Sequence, residues 1–236
     1  RAVGFAEVSG FSAEATEPLA DLGRGAAATV GTDGTVHAVS AKDATLLSFR
    51  RGDDNTLAET SRRTLEGVEA SHALTVTAVG ETAYVLDADT RTLHGSDGSR
   101  TEVPADAVLQ QPSPAADAVT LSTPKALVRV PTGGGEATTI DAKGAEGSAA
   151  APVFVAGCAY GAWSGSGRFV RDCPGKKDDL VEPVDGIEPT SVLQFRVNRD
   201  VVVLNDVFGG AAWMASDSMQ RVDNWQDITP PEGEGE

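Results

Sequence analysis

Three histidines, His37, His72 and His94, are the side chains here best suited to moving a proton near neutral pH, and no local motif gives any of them a catalytic partner. His37 lies inside an alternating apolar run, His72 sits at a strand start, and His94 follows a Thr-Leu pair. A lone histidine in such a place reads as a structural strand residue. The sequence holds no His-Glu-x-x-His, no Gly-x-Ser-x-Gly and no Gly-rich loop ending in Lys-Ser/Thr. Gly133-Gly134-Gly135 reads as a turn between strands, because no helix follows to aim its N–H groups at an anion. Asp53-Asp54, Asp87 with Asp89, and Asp178-Asp179 offer oxygens suited to weak calcium binding. Asp87-Ala88-Asp89 lacks the central Gly and terminal Glu of a calcium loop, so a solvated turn is the better reading. The expectation is that the chain is not an enzyme, with no catalytic, cofactor-binding or metal-binding residue and no cofactor.

Cys158 and Cys173 flank a Gly-rich stretch at a spacing compatible with a hairpin. With no further Cys or His beside them to complete a metal site, they read as one structural disulfide in an oxidising compartment, with two free core thiols as the alternative. Arg51-Gly52-Asp53 spells an adhesion tripeptide, yet Gly-Asp is ordinary turn chemistry and falls where a loop is needed. Trp163 and Trp213 occupy related positions in adjacent modules and read as packing between modules; Trp225 reads as an anchor for the C-terminal tail. A net charge of −16 argues against nucleic acid, which demands clustered Lys and Arg, and against an anionic membrane surface.

The elements that position these residues come from repetition. Val36–Leu46 and Ala83–Leu93 share one pattern, an alternating apolar run, a polar turn and a Thr-Leu pair opening the next strand. Weaker copies follow around Ala126-Leu127, Arg168-Phe169 and Ala212-Trp213. The apolar residues opening these strands, Leu46, Leu93, Leu127, Phe169 and Trp213, are 47, 34, 42 and 44 residues apart. Blades of four-stranded propellers repeat at roughly 40–50 residues. A twisted four-stranded sheet cannot bury both faces alone, and stacking blades about an axis solves that. The fold class predicted is therefore all-β, a β-propeller of about five four-stranded blades, with a β-sandwich as the alternative. Val103–Val108 and Asp185–Thr190, each holding a Pro, read as crossovers between blades.

The propeller domain is expected over residues 1–228, with the run Val3-Gly4-Phe5-Ala6-Glu7-Val8 pairing into the last blade as a closing strand. Residues 229–236, rich in Pro, Gly and Glu, read as a linker to a following domain. The chain opens on Arg1 and has no apolar run of membrane-spanning length, so any targeting segment or membrane anchor is expected outside it.

The run Gly31–Leu47, the strand end Tyr84-Val85-Leu86-Asp87, Tyr160-Gly161-Ala162-Trp163 and Val222-Asp223-Asn224-Trp225 before the Pro/Glu tail carry a family likeness. Together they resemble the extracytoplasmic region of actinobacterial surface proteins that bear fibronectin type III or immunoglobulin-like repeats. The resemblance implies a propeller-like fold at the cell surface and a binding or adhesive role, and brings no functional residues with it. The leading expectation is a non-catalytic surface domain contacting protein or cell-wall polymer. The alternatives are a sensor domain, or a carbohydrate-active propeller enzyme with carboxylates and Trp or Tyr clustered at one mouth of the channel.

Overall fold

Short alternating runs separated by Gly, Pro, Asn and Asp fold into strands because each run can bury one or both faces and each separator can reverse the chain. The computed structural model describes residues 20–53, 56–176 and 179–222, which hold twenty strands and no helix. They form five four-stranded antiparallel sheets, each from consecutive strands. Blade 1 is Ala27–Val30 (β1), Val36–Ser40 (β2), Thr45–Arg51 (β3) and Leu57–Thr64 (β4). Blade 2 is Leu74–Val79 (β5), Thr82–Asp87 (β6), Thr92–Gly95 (β7) and Arg100–Glu102 (β8). Blade 3 is Val108–Leu109 (β9), Ala118–Ser122 (β10), Ala126–Pro131 (β11) and Thr138–Asp141 (β12). Blade 4 is Val153–Val155 (β13), Cys158–Trp163 (β14), Arg168–Asp172 (β15) and Leu180–Pro183 (β16). Blade 5 is Leu193–Asn198 (β17), Val201–Asp206 (β18), Ala212–Ala215 (β19) and Met219–Val222 (β20). The architecture is a five-bladed β-propeller.

Leu46, Leu93, Leu127, Phe169 and Trp213 each stand second in the third strand of a blade. The first four point at the following blade. Leu46 packs with Leu74 and Val85, Leu93 with Val119 and Leu121, Leu127 with Ala159 and Trp163, and Phe169 with Phe195 and Leu204. Trp213 points the other way, into the layer shared with blade 4. Its partner across the strands is Leu204, which matches the pair Val85–His94 of blade 2 rather than Leu86–Leu93. The fifth repeat is therefore one residue out of register with the other four.

Four apolar layers, one at each junction from blade 1 to blade 5, make up most of the core. Trp163 and Trp213 both lie in these layers, but at different places in their blades, the end of β14 and the start of β19. Their indole N–H groups donate to the Thr123 carbonyl at 2.6 Å and the Asp185 carbonyl at 3.0 Å, so each ring also fixes an adjacent loop. Gly161 of β14 is required by close approach, since a Cβ there would sit 2.7 Å from Leu127. Cys158 and Cys173 form a buried disulfide across β14 and the end of β15.

The ends of the array differ. On blade 1, Ala38, Leu47 and Phe49 are covered by Leu22. Blade 5 is buried on the blade 4 side through Val202 and Leu204, while Val201 and Met214 on its other side are exposed. Among the described residues no apolar cluster joins blade 5 to blade 1. The expected closing strand Val3–Val8, Trp225 and the linker at 229–236 lie outside the described residues; blade 5 has four strands without them.

Candidate functional site

The first strand of every sheet, β1, β5, β9, β13 and β17, lines the central channel, and the last strand lies on the outer rim. The chain just beyond β9 crosses this channel. Ser113 N–H donates to the Ala78 carbonyl, and Gly80 N–H donates to the Ser113 carbonyl. Gln111 N–H donates to the Pro152 carbonyl at 2.8 Å, and Gln111 Nε2 donates to the Phe195 carbonyl at 3.0 Å. One short segment thereby links blade 3 to blades 2, 4 and 5, and a cavity lies towards each mouth.

At the mouth where the inner strands end, a cavity of about 480 Å³ is lined by Thr32, Gln111, Phe154, Arg196, Arg199 and Asp200 among others. Arg199 and Asp200 form the tight turn between β17 and β18, with Arg199 in the left-handed region at φ 55°. Arg196 and Arg199 are exposed, and among the described residues neither pairs with a carboxylate. Two guanidiniums against one aspartate make this a locally cationic rim on a chain of net charge −16.

At the opposite mouth, a cavity of about 560 Å³ is walled mainly by Leu74, Val76, Leu86, Val108 and Leu109, with His72 at its edge. His72 Nδ1 lies 2.7 Å from Asp87 Oδ2. Asp87 ends β6 and is fully buried, and its Oδ1 accepts the N–H groups of Asp89 and Thr90 at 3.0 and 3.2 Å. Burial works to raise the Asp87 pKa, but the hydrogen bonds from Thr90 and His72 outweigh it and hold the carboxyl below its ordinary range. An ionised carboxylate only accepts, so the imidazole proton sits on Nδ1. The Glu69 N–H lies 3.2 Å from the same nitrogen, where it would need Nδ1 to accept; the shorter carboxylate contact decides the tautomer.

The other two histidines are core residues. His37 Nδ1 meets the Ser48 hydroxyl at 2.9 Å, and the Nε2 atoms of His37 and His94 are buried without a hydrogen-bond partner. Desolvation lowers both pKa values, so both rings are neutral near pH 7.

The expected solvated turn at Asp87-Ala88-Asp89 is corrected. Asp87 is buried, and Asp89 Oδ2 accepts the Ala73 N–H at 2.6 Å, so these carboxylates tie the turn to the start of β5. Among the described residues, no group of three His, Cys, Asp or Glu side chains is placed to hold a metal ion. Gly133-Gly134-Gly135 is a turn with all three residues at positive φ, and Arg51-Gly52-Asp53 is exposed at the end of β3. Asp54 and Asp178 lie outside the described residues; Asp179 accepts the Cys173 N–H. Neither cavity is lined by Trp, Tyr or a carboxylate pair, which the carbohydrate-active reading requires.

Sequence reading missed the His72–Asp87 pair, the crossing segment and the Arg196–Arg199 rim. One signal was available. Ser191 and Asp206 repeat the fifteen-residue separation of His72 and Asp87, and their side chains meet at 2.7 Å.

No family model matches this chain, and no curated protein matches it. Solved structures do. An inactive variant of virginiamycin B lyase from Staphylococcus aureus, solved with quinupristin, aligns at a TM-score of 0.57 and 11% identity, covering 83% of this chain and 68% of that one. Hsv2 from Kluyveromyces marxianus aligns at 0.55 and 11%, covering 83% and 60%. YCF48 from Cyanidioschyzon merolae aligns at 0.51 and 14%, covering 84% and 71%. At such identities the likeness is one of fold. It still corrects the expectation that the chain is not an enzyme, because that expectation rested on absent motifs and the same architecture carries a lyase. The physical reason is that groups at a channel mouth come from different strands and blades, so no contiguous motif reports them.

Proposed function

We propose that this chain is a ligand-binding β-propeller of a cell-surface protein, working outside the cytoplasm and engaging a carboxylate-bearing cell-wall polymer at the mouth framed by Arg196 and Arg199. The cationic rim of a cavity in an otherwise acidic chain carries this reading. A guanidinium presents a fixed fork of donors that matches a carboxylate, and among the described residues neither fork is paired with one. The cavity volume lies within the range of about 300–1,000 Å³ that ligand sites occupy. The disulfide supports an oxidising compartment. The resemblance of Gly31–Leu47 and Tyr84–Asp87 to actinobacterial surface proteins supports placement at the envelope.

Calorimetric titration with soluble peptidoglycan fragments, whose stem peptides carry carboxylates, tests the proposal, with neutral dextran as the control. Binding is expected for the fragments alone, weakening with salt and falling at least about tenfold in the R196A/R199A double variant, since each charged hydrogen bond contributes about 1.5–3 kcal/mol. Absence of binding, or binding indifferent to both arginines, would refute the site.

A further inference from the structure

We propose that His72 and Asp87 form a general-base dyad that hydrolyses an apolar ester held in the cavity where the inner strands begin. This site lies at the mouth opposite the arginines and stands independently of ligand binding there.

The geometry assigns each atom a role. Asp87 is fully buried and fixed by two backbone N–H groups, so it cannot turn away from the imidazole. With the proton on Nδ1, the lone pair of the neutral ring is on Nε2. His72 keeps 13% of its side-chain surface exposed, and Nε2 is neither buried nor hydrogen-bonded among the described residues. His37 and His94 differ on this point, for their Nε2 atoms are sealed in the core.

Blade 5 shows that the position does not require histidine. Ser191, two residues before β17, donates its hydroxyl to Asp206 at 2.7 Å, just as His72, two residues before β5, meets Asp87. A hydroxyl suffices to hold the strand-end aspartate. In blade 2 an imidazole does the same, on a residue that lines a cavity and whose Nε2 is not sealed in the core.

The cavity sets the substrate class. Its walls are Leu, Val and Ala, and the amide of Gln110 is already committed to Thr120 N–H, Ser113 and the Gln111 carbonyl. An apolar acyl chain is the group such walls take. Thr75 is the sole hydroxyl among the lining residues and no thiol lies there, so water is the nucleophile. Nε2 takes a proton from that water as its oxygen bonds to the ester carbonyl carbon. The carbon–oxygen bond to the alcohol then breaks, and the imidazolium returns its proton to the leaving alkoxide. A carboxylic acid and an alcohol result, with no other reactant. His72 is the catalytic residue, and Asp87 positions it.

The test is hydrolysis of p-nitrophenyl butyrate by the full chain, beside free imidazole at equal concentration. The chain is expected to exceed imidazole in rate. His72→Ser, which copies blade 5 and so keeps a donor to Asp87, is expected to melt near the parent and to lose at least about 100-fold in rate. A parent rate no greater than imidazole, or a His72→Ser variant as active as the parent, overturns the proposal. Should that variant fail to fold, modification of the parent with diethyl pyrocarbonate decides. Loss of activity reversed by hydroxylamine supports the dyad, and activity unchanged by modification overturns it.

Discussion

Blades 2 and 5 are built on one plan and stand in different surroundings. In both, the second strand ends in an aspartate, and a side chain two residues ahead of the first strand binds it. Blade 2 is packed on both sides, with Val85 against blade 1 and Tyr84 and Leu86 against blade 3. Among the described residues blade 5 is packed on one side, and the positions matching Tyr84 and Leu86 are Val203 and Asn205, both half-buried. The plan of a blade is thus local, while the burial of its faces belongs to its neighbours. Where there is a neighbour on both sides the middle of the strand, Ala83–Leu86, is apolar and buried, and where none is described polar and part-exposed residues appear.

The comparison breaks first at the faces. Tyr84→Asp is expected to cost at least about 4 kcal/mol in urea unfolding, because a charge would be buried between two sheets, whereas Val203→Asp should cost about 1 kcal/mol. Equal costs would mean that the two blades are equally enclosed in solution.

The aspartates give the next effect. Asp87→Ala strands two backbone N–H groups and the His72 donor, and is expected to cost about 3 kcal/mol. Asp206→Ala strands the Ser191 hydroxyl and a longer contact from Phe208 N–H, for about 2 kcal/mol. Reversed order in a denaturant series would show that blade 5 depends on its aspartate more than blade 2 does.

Acid sharpens the contrast further. Both aspartates have folded pKa values below the ordinary 3.8, so their contribution is complete above that value and is lost as pH falls through the lowered ones. His94 acts in a different window. Its folded pKa is lowered by burial from 6.5, so below 6.5 the unfolded chain binds the proton first and stability declines with falling pH. Blade 5 has Trp213 at the matching position, which does not titrate. His94→Leu is therefore expected to flatten the dependence of the thermal midpoint between about pH 7.5 and pH 5.5. An unchanged slope would assign that titration elsewhere.

The smallest effect is expected at the exposed side of blade 5. Met214→Lys should lie within about 0.5 kcal/mol of the parent, since 36% of Met214 is already exposed. A large loss of stability there would show that the surface is covered in solution.

Legibility of the fold and of the site differed for a physical reason. A repeated strand-turn-strand pattern leaves its period in the chain, so Leu46, Leu93, Leu127 and Phe169 announced four blades in register, and Trp213 announced the fifth one residue out. Cys158 and Cys173 were legible because adjacent strands of a hairpin bring such a pair opposite each other. The channel was not legible. Gln111 reaches the Phe195 carbonyl across 84 positions, and the Arg196–Asp200 rim meets Thr32 and Phe154 only once the blades are stacked.

By itself, the sequence determined an acidic all-β chain of repeated blades with one disulfide, because these properties follow from composition, period and near-neighbour spacing. Only the tertiary structure decided that His72 would meet a buried Asp87 and keep its other nitrogen out of the core, while His37 and His94 vanished into it. Three histidines in similar local patterns acquired different chemistry because solvent access and partner distance are set by which blade packs against which.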